Sequence, residues 1–267
     1  MTDDPSAPHG HIDTEIEGST CWITFNNPAK MNALNTAMWS ALPGIIEASQ
    51  HNDSVRVVIL RGSGAKAFSA GADISEFGSA RTGKAAQDYD ELNHAAFNAV
   101  MECSKPTIAM IEGYCMGGGL ELALCCDLRY AATGSNFAIP AAKLGIGYNP
   151  RWIRPLFSAL NATQAKEILF TGRRFSGEEA CAMGMITRLT PPDTLISETR
   201  ELARLIAENA PLSVYAAKRC IDEFLRAPEN PDMKALDEIV QACFDSEDYA
   251  EGRAAFAEKR KPVFRGK

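Results

Sequence analysis

The sequence predicts an α/β core followed by an all-helical region, and three observations carry that prediction. Runs dense in β-branched residues alternate with helix-like segments as far as about Pro192. Two glycine-rich loops each follow such a run. From Thr194 onward no strand-like run remains, and four helical stretches succeed one another. A boundary near 194 divides the chain into an α/β unit, 1–194, and a helical region, 195–267.

Cys21–Phe25 (CWITF) opens the pattern as a short strand and stops at the turn signal Asn26-Asn27-Pro28. His9 and His11, just before it, belong to a polar tail. Asn35–Gln50 has helical character despite Pro43. Val55–Leu60 (VRVVIL) suits a strand buried on both faces. The punctuated segment GSGAKAFSAGAD then reads as loop down to Asp73. Lys84–Cys103 is an amphipathic helix with Leu92, Ala96, Phe97 and Val100 on its apolar side. Pro106 opens the strand TIAMI, Gly113–Gly119 is a glycine-rich turn, and Leu120–Cys126 is a buried helix. Asp127–Ala132 is the next strand. Beyond Thr194, helices are expected at Leu195–Asn209, Leu212–Leu225, Met233–Ser246 and Tyr249–Lys259, parted by Pro211, Pro228 and Pro231.

Composition narrows the function classes. The chain has 267 residues, enough to bury a core without staples. Its 27 basic and 34 acidic residues give a net charge of −7, which disfavours general nucleic-acid binding. The eight cysteines include no Cys-x-x-Cys pair and sit in apolar segments, so reduced core thiols are expected rather than a disulfide frame or zinc site. The most apolar stretch, Pro106–Cys126, is interrupted by Glu112, Glu121 and a glycine triplet, which a membrane span would not tolerate. MTDDPSAPHG lacks the apolar core of a secretory leader, and a reducing, cytoplasmic setting is the expectation.

No phosphate loop, nucleophile elbow or His-Glu-x-x-His is present. Gly62-x-Gly64-x-x-Ala67 after a strand imitates a dinucleotide fingerprint. That fingerprint works only where a helix begins at the glycines, and here the chain continues as loop. His51 and His94 are the internal histidines, and a surface or satisfied role suits both.

Taken together, Ser69-Ala70-Gly71-Ala72-Asp73 and Gly113-Tyr114-Cys115-Met116-Gly117-Gly118-Gly119-Leu120-Glu121 say more. Each follows a strand, so both belong at the carboxyl ends of neighbouring parallel strands. Glycine lets backbone amides approach a ligand closely. One amide from each loop can aim at a single oxygen, which stabilises an enolate or alkoxide. A helix starting near Gly118 adds its positive end. Glu121, three residues on, lies on the same face as that amide and can move a proton beside the carbonyl.

The sequence resembles the enoyl-CoA hydratase/isomerase (crotonase) superfamily. The matching segments are Asn26–Leu34, Lys66–Phe77, Lys105–Ala132, Phe137–Ile146, Ala165–Leu189 and Phe256–Phe264. The resemblance implies a crotonase-like spiral of β-β-α turns with a C-terminal helical oligomerisation region, trimers or hexamers, and an acyl-CoA thioester as substrate, with coenzyme A arriving as part of it and no separate cofactor or metal. By motif position, the amides of Ala72 and Gly118 would form the oxyanion hole, with Glu121 the proton-transfer group. Lys30, Asn32, Ala33, Ala70, Asp73, Ile74 and Gly117 lie in segments that cradle the substrate in the family. Phe256 and Lys259 match a C-terminal segment that can reach a neighbouring subunit's CoA.

One departure bears on the chemistry. Hydratases of the family usually carry a second glutamate after the proline of Phe-x-x-Pro, and here that position is Ala141. If another group substitutes for that carboxylate, Tyr148 and Asn149 are the polar candidates nearby in sequence. Hydration with Glu121 alone, a one-base double-bond shift, decarboxylation of a malonyl-type thioester, and idle acyl-CoA binding all stay open.

Overall fold

In the computed structural model, residues 10–76 and 83–267 are described, with side chains omitted at 83–85. His9 and Phe77, named above, lie outside the described residues.

Two sheets are threaded by one spiral. The first strand pair, β1 (His11–Glu17) and β2 (Thr20–Asn26), is antiparallel. Helix α1 (Thr36–His51) follows, capped by the Asn35 side chain on the Met38 amide at 2.8 Å. Then each turn of the spiral adds one long strand to a large sheet, one short strand to a small sheet, and a helix. The first such turn is β3 (Val57–Gly62), β4 (Ala67–Ser69) and α2 (Gly83–Met101). The second is β5 (Thr107–Ile111), β6 (Tyr114–Met116) and α3 (Gly118–Cys125). A third brings β7 (Leu128–Ala132) and β8 (Asn136–Ala138), then α4 (Ile153–Ala159) and α5 (Ala162–Thr171). After β9 (Phe175–Ser176) and α6 (Gly177–Ala182), β10 (Arg188–Thr190) closes the large sheet.

The large sheet runs β1-β2-β3-β5-β7-β10 and is parallel from β2 onward. The small sheet runs β4-β6-β8-β9, with only β9 antiparallel. Val57–Leu60 is buried at all four positions, as its β-branched composition requires of an inner strand.

Four helices end the chain: α7 (Leu195–Ala207), α8 (Pro211–Arg226), α9 (Met233–Phe244) and α10 (Glu247–Glu258). Leu195 and Ala203 of α7 pack on Trp22, Val57 and Ile108, so this helix covers one face of the large sheet. On the other face, Trp39, Phe97, Leu120 and Phe137 belong to the main core. Lys218 of α8 reaches Asp127 at 2.8 Å, and the same carboxylate accepts from the Thr107 amide at 2.7 Å. None of the helices among the described residues is long and apolar enough to cross a membrane.

Three expectations are corrected. His11 opens β1 rather than lying in a tail; the strand is largely exposed and polar, and only its pairing with β2 reveals it. Ala67–Ser69 and Tyr114–Met116, read as loop and turn, are strands. Both are three residues long, too short for a period-two pattern; they are held by ladder bonds to each other, and Tyr114–Met116 also by bonds to β8. Among the described residues the eight cysteines are unbridged, five of them buried.

Candidate active site

β4 and β6 are parallel neighbours, so the loops that leave them emerge side by side. Gly71 has φ +96°, and a Cβ there would stand 2.8 Å from the Met116 carbonyl and 3.3 Å from the Gly118 nitrogen. Only glycine lets the two loops come this close. Behind them, a Cβ on Gly119 would meet Ser69 Cβ at 2.6 Å.

Backbone accounting singles out two amides. In the first loop, Ala70 N donates to Met31 O at 2.9 Å, Gly71 N to Ser69 Oγ at 3.1 Å, and Asp73 N to Leu34 O at 2.9 Å. The Ala72 amide has no acceptor among the described residues. In the second loop, Gly117 N donates to Ala138 O at 2.7 Å, whereas Gly118, at the first position of α3, has none. The Ala72 nitrogen lies 3.9 Å from where a Gly118 Cβ would stand. The two unspent amides therefore lie on closely apposed stretches of the two loops.

They open on a cavity of about 170 Å³. Ala70, Ala72, Ile74, Gly117, Gly118, Glu121 and Ala141 all line it, so seven of the residues singled out in the sequence come together. Glu121 is the one carboxylate among the described lining residues. It is 2% exposed. Its Oε2 accepts from the Tyr148 hydroxyl, and its Oε1 has no partner among the described residues. Burial pushes the Glu121 carboxyl up to about 8, and the Tyr148 hydrogen bond pulls the other way. Burial and the neighbouring carboxyl together push the Tyr148 phenol well above its ordinary range, so it stays a neutral donor. Ala141, at the position of the missing second carboxylate, presents only a methyl group to the cavity.

Aromatic rings frame the site. Trp39, whose ring a Gly118 Cβ would meet at 3.3 Å, stands edge-on to Phe97 at 5.5 Å. Phe97 stands edge-on to Trp152, and Trp152 to Tyr148, each at 5.8 Å.

The other singled-out residues lie outside the cavity lining. Lys30 Nζ donates to Asp73 and Ser75, each at 2.9 Å. Burial raises the Asp73 carboxyl, but the Lys30 and Ser75 donors outweigh it and hold it below its usual value. Asn32, buried and with φ 55°, bonds Asn27, Ser63 and Ala67. Ala33 is buried beside it. These residues brace the loops that carry the amides. Phe256 is 87% exposed on α10, and Lys259 is the exposed left-handed residue that ends it. Gly62 and Gly64 lead into β4, with no helix at the glycines to hold a pyrophosphate.

Comparison with known proteins agrees with this architecture. The family described as enoyl-CoA hydratase/isomerase matches residues 15–267. A short-chain-enoyl-CoA hydratase of Clostridium acetobutylicum is 32% identical over 247 residues, covering 92% of this chain and 94% of its own length. A carnitinyl-CoA dehydratase of Shigella flexneri is 34% identical over 259 residues, covering 94% and 96%. A crystal structure of an enoyl-CoA hydratase/carnithine racemase from Magnetospirillum magneticum superposes with a TM-score of 0.92 at 39% identity, covering 96% of each chain. The fold is the crotonase spiral, and the chain belongs to the enoyl-CoA hydratase/isomerase family.

Proposed function

We propose that this chain is a hydratase-like enzyme in which the amides of Ala72 and Gly118 hold the thioester oxygen and Glu121 moves the proton at the adjacent carbon. The observation that carries this is the unpartnered Glu121 Oε1 in the same cavity as two unspent amides. In the proton-abstraction direction, a C–H bond breaks and an O–H bond forms on Glu121. The electron pair passes through the carbonyl to the oxygen, where the amides stabilise it. Relatives named as enoyl-CoA hydratase and carnitinyl-CoA dehydratase support thioesters of this class.

The absence of a carboxyl at Ala141 favours a second reading, a one-base shift of the double bond. There Glu121 returns its proton to another carbon of the same enolate, and no water needs activation. In either reading coenzyme A enters and leaves with the substrate, and Lys259 with Phe256 would serve the CoA of a neighbouring subunit in a trimer or hexamer.

The test is Glu121→Gln, assayed on 2-enoyl, 3-enoyl and malonyl thioesters. Turnover of every accepted substrate should fall by roughly 10²–10⁴. Unchanged turnover would remove Glu121 from the reaction, and binding without turnover by the native protein would make the chain an acyl-CoA binder.

A further inference from the structure

We propose that Tyr148 is a positioning residue: by donating to Oε2 of Glu121 it leaves Oε1 as the oxygen that carries and releases the proton, and it fixes that oxygen toward the cavity. The inference deepens the proposed role of Glu121 and rests on it. Three observations support it. First, the phenol hydroxyl donates to Oε2, while Oε1 is buried without a partner. A carboxyl that accepts at one oxygen keeps its own proton on the other. Second, Tyr148 itself is held from two sides. Its ring packs edge-on to Trp152 at 5.8 Å. Its neighbour Asn149 donates to Asp90 of α2 at 3.3 Å, and Arg151 forks onto Glu91 of α2 at 3.0 and 2.9 Å. Third, the position a second carboxylate would fill is Ala141, so among the described lining residues no other acid competes for the hydroxyl.

Burial raises the Glu121 carboxyl, and among the described residues the surroundings leave Tyr148 as the polar partner that acts against it. On α2, Asp90 and Glu91 are taken by Asn149 and Arg151, and His94 shares a hydrogen bond with Asn98. On α4, Arg154 pairs with Glu102. On β6, burial pushes the Cys115 thiol up, as it does Cys125 on α3 itself, so both are neutral. The α1 residue against this end of α3 is Trp39, which carries no charge.

The test reads the carboxyl directly. In the free, full-length protein, the infrared C=O band lost in Glu121→Gln is followed against pH, in the native protein and in Tyr148→Phe. A hydroxyl that donates to the charged carboxylate lowers its midpoint, so its removal should raise the midpoint by roughly one to two pH units. The acid or base limb of kcat/KM on an enoyl thioester should move with it. Replacing Tyr148 by 3-fluorotyrosine, a stronger donor of nearly the same shape, should move the midpoint down. A midpoint that stays put or falls in Tyr148→Phe overturns the proposal. Should that variant fail to fold, an unmoved midpoint with 3-fluorotyrosine overturns it. Because the band is read without substrate, this result is independent of whether Glu121→Gln keeps its turnover.

Discussion

Leu34 and Ala72 face each other across a single parallel bridge: Leu34 N donates to Gly71 O at 2.8 Å, and Asp73 N donates to Leu34 O at 2.9 Å. The bridge uses the peptide groups on both sides of Ala72 and leaves the Ala72 amide itself out. A loop that would otherwise be free to rotate is thereby locked with one donor unspent. Glu76, a few residues on, adds a second lock by accepting from both the amide and the hydroxyl of Thr36 at the start of α1, each at 2.8 Å.

Gly71→Ala should disturb the site more than the fold. The new Cβ would need to stand 2.8 Å from the Met116 carbonyl at φ +96°, so the two loops must separate. A stability loss of about 1–3 kcal/mol is expected from the strain. If the Ala72 and Gly118 amides hold the thioester oxygen as proposed, turnover should fall by about tenfold or more as the two loops part. Denaturant unfolding and steady-state rates on the same preparation check both.

Asp73→Asn should unlatch the first loop. Lys30 and Ser75 outweigh burial and hold the folded Asp73 carboxyl below 3.8. The stabilisation is therefore present above pH 3.8 and lost as pH falls through the folded value. With Lys30 partly exposed, the loss on substitution should be only about 1 kcal/mol at pH 7. Unfolding curves at pH 7 and pH 3 should show the gap between variant and native protein closing at the lower pH.

Glu121→Gln should gain stability relative to the native protein as pH rises. The folded value, about 8, lies above the ordinary 4.5. The stabilisation that goes with the protonated, buried form is full below pH 4.5 and is lost as pH climbs through about 8, at up to about 1.4 kcal/mol per pH unit. Melting temperatures of the two proteins measured from pH 5 to pH 9 should therefore diverge, with the variant higher at the alkaline end.

Ala141→Glu should restore a two-carboxylate cavity. Hydration of a 2-enoyl thioester is expected to rise by about tenfold or more if water activation limits the native enzyme. The new charge should also push the Glu121 midpoint further up. A hydration assay and the infrared titration read the two effects, and unchanged hydration would mean that water activation does not limit the rate.

Much of the fold was legible because its signals are local. Val57–Leu60 and Thr107–Ile111 are apolar, β-branched runs. The glycine loops were legible because each glycine-rich segment comes after an apolar strand-like run and the second carries Glu121 three residues past Gly118. What escaped is what long-range contact decides. β1 is polar and exposed, and β4 and β6 are too short to show a period. The Tyr148–Glu121 bond joins residues 27 apart, and the neighbouring Asn149 and Arg151 bonds to α2 span 59 and 60, none of which a local pattern encodes. Lys30 and Asp73, which the resemblance places in substrate-cradling segments, also pair their side chains with each other across 43 residues, a contact no local pattern encodes.

The run of edge-on rings from Trp39 through Phe97 and Trp152 to Tyr148 gives the molecule an optical reporter of its own. The chain has three tryptophans, and two of them border the pocket or pack against its amide loop, while Trp22 lies in the separate core under α7. Intrinsic emission should therefore change when the pocket fills, without any label, and Trp22→Phe would leave Trp39 and Trp152 as the emitting tryptophans.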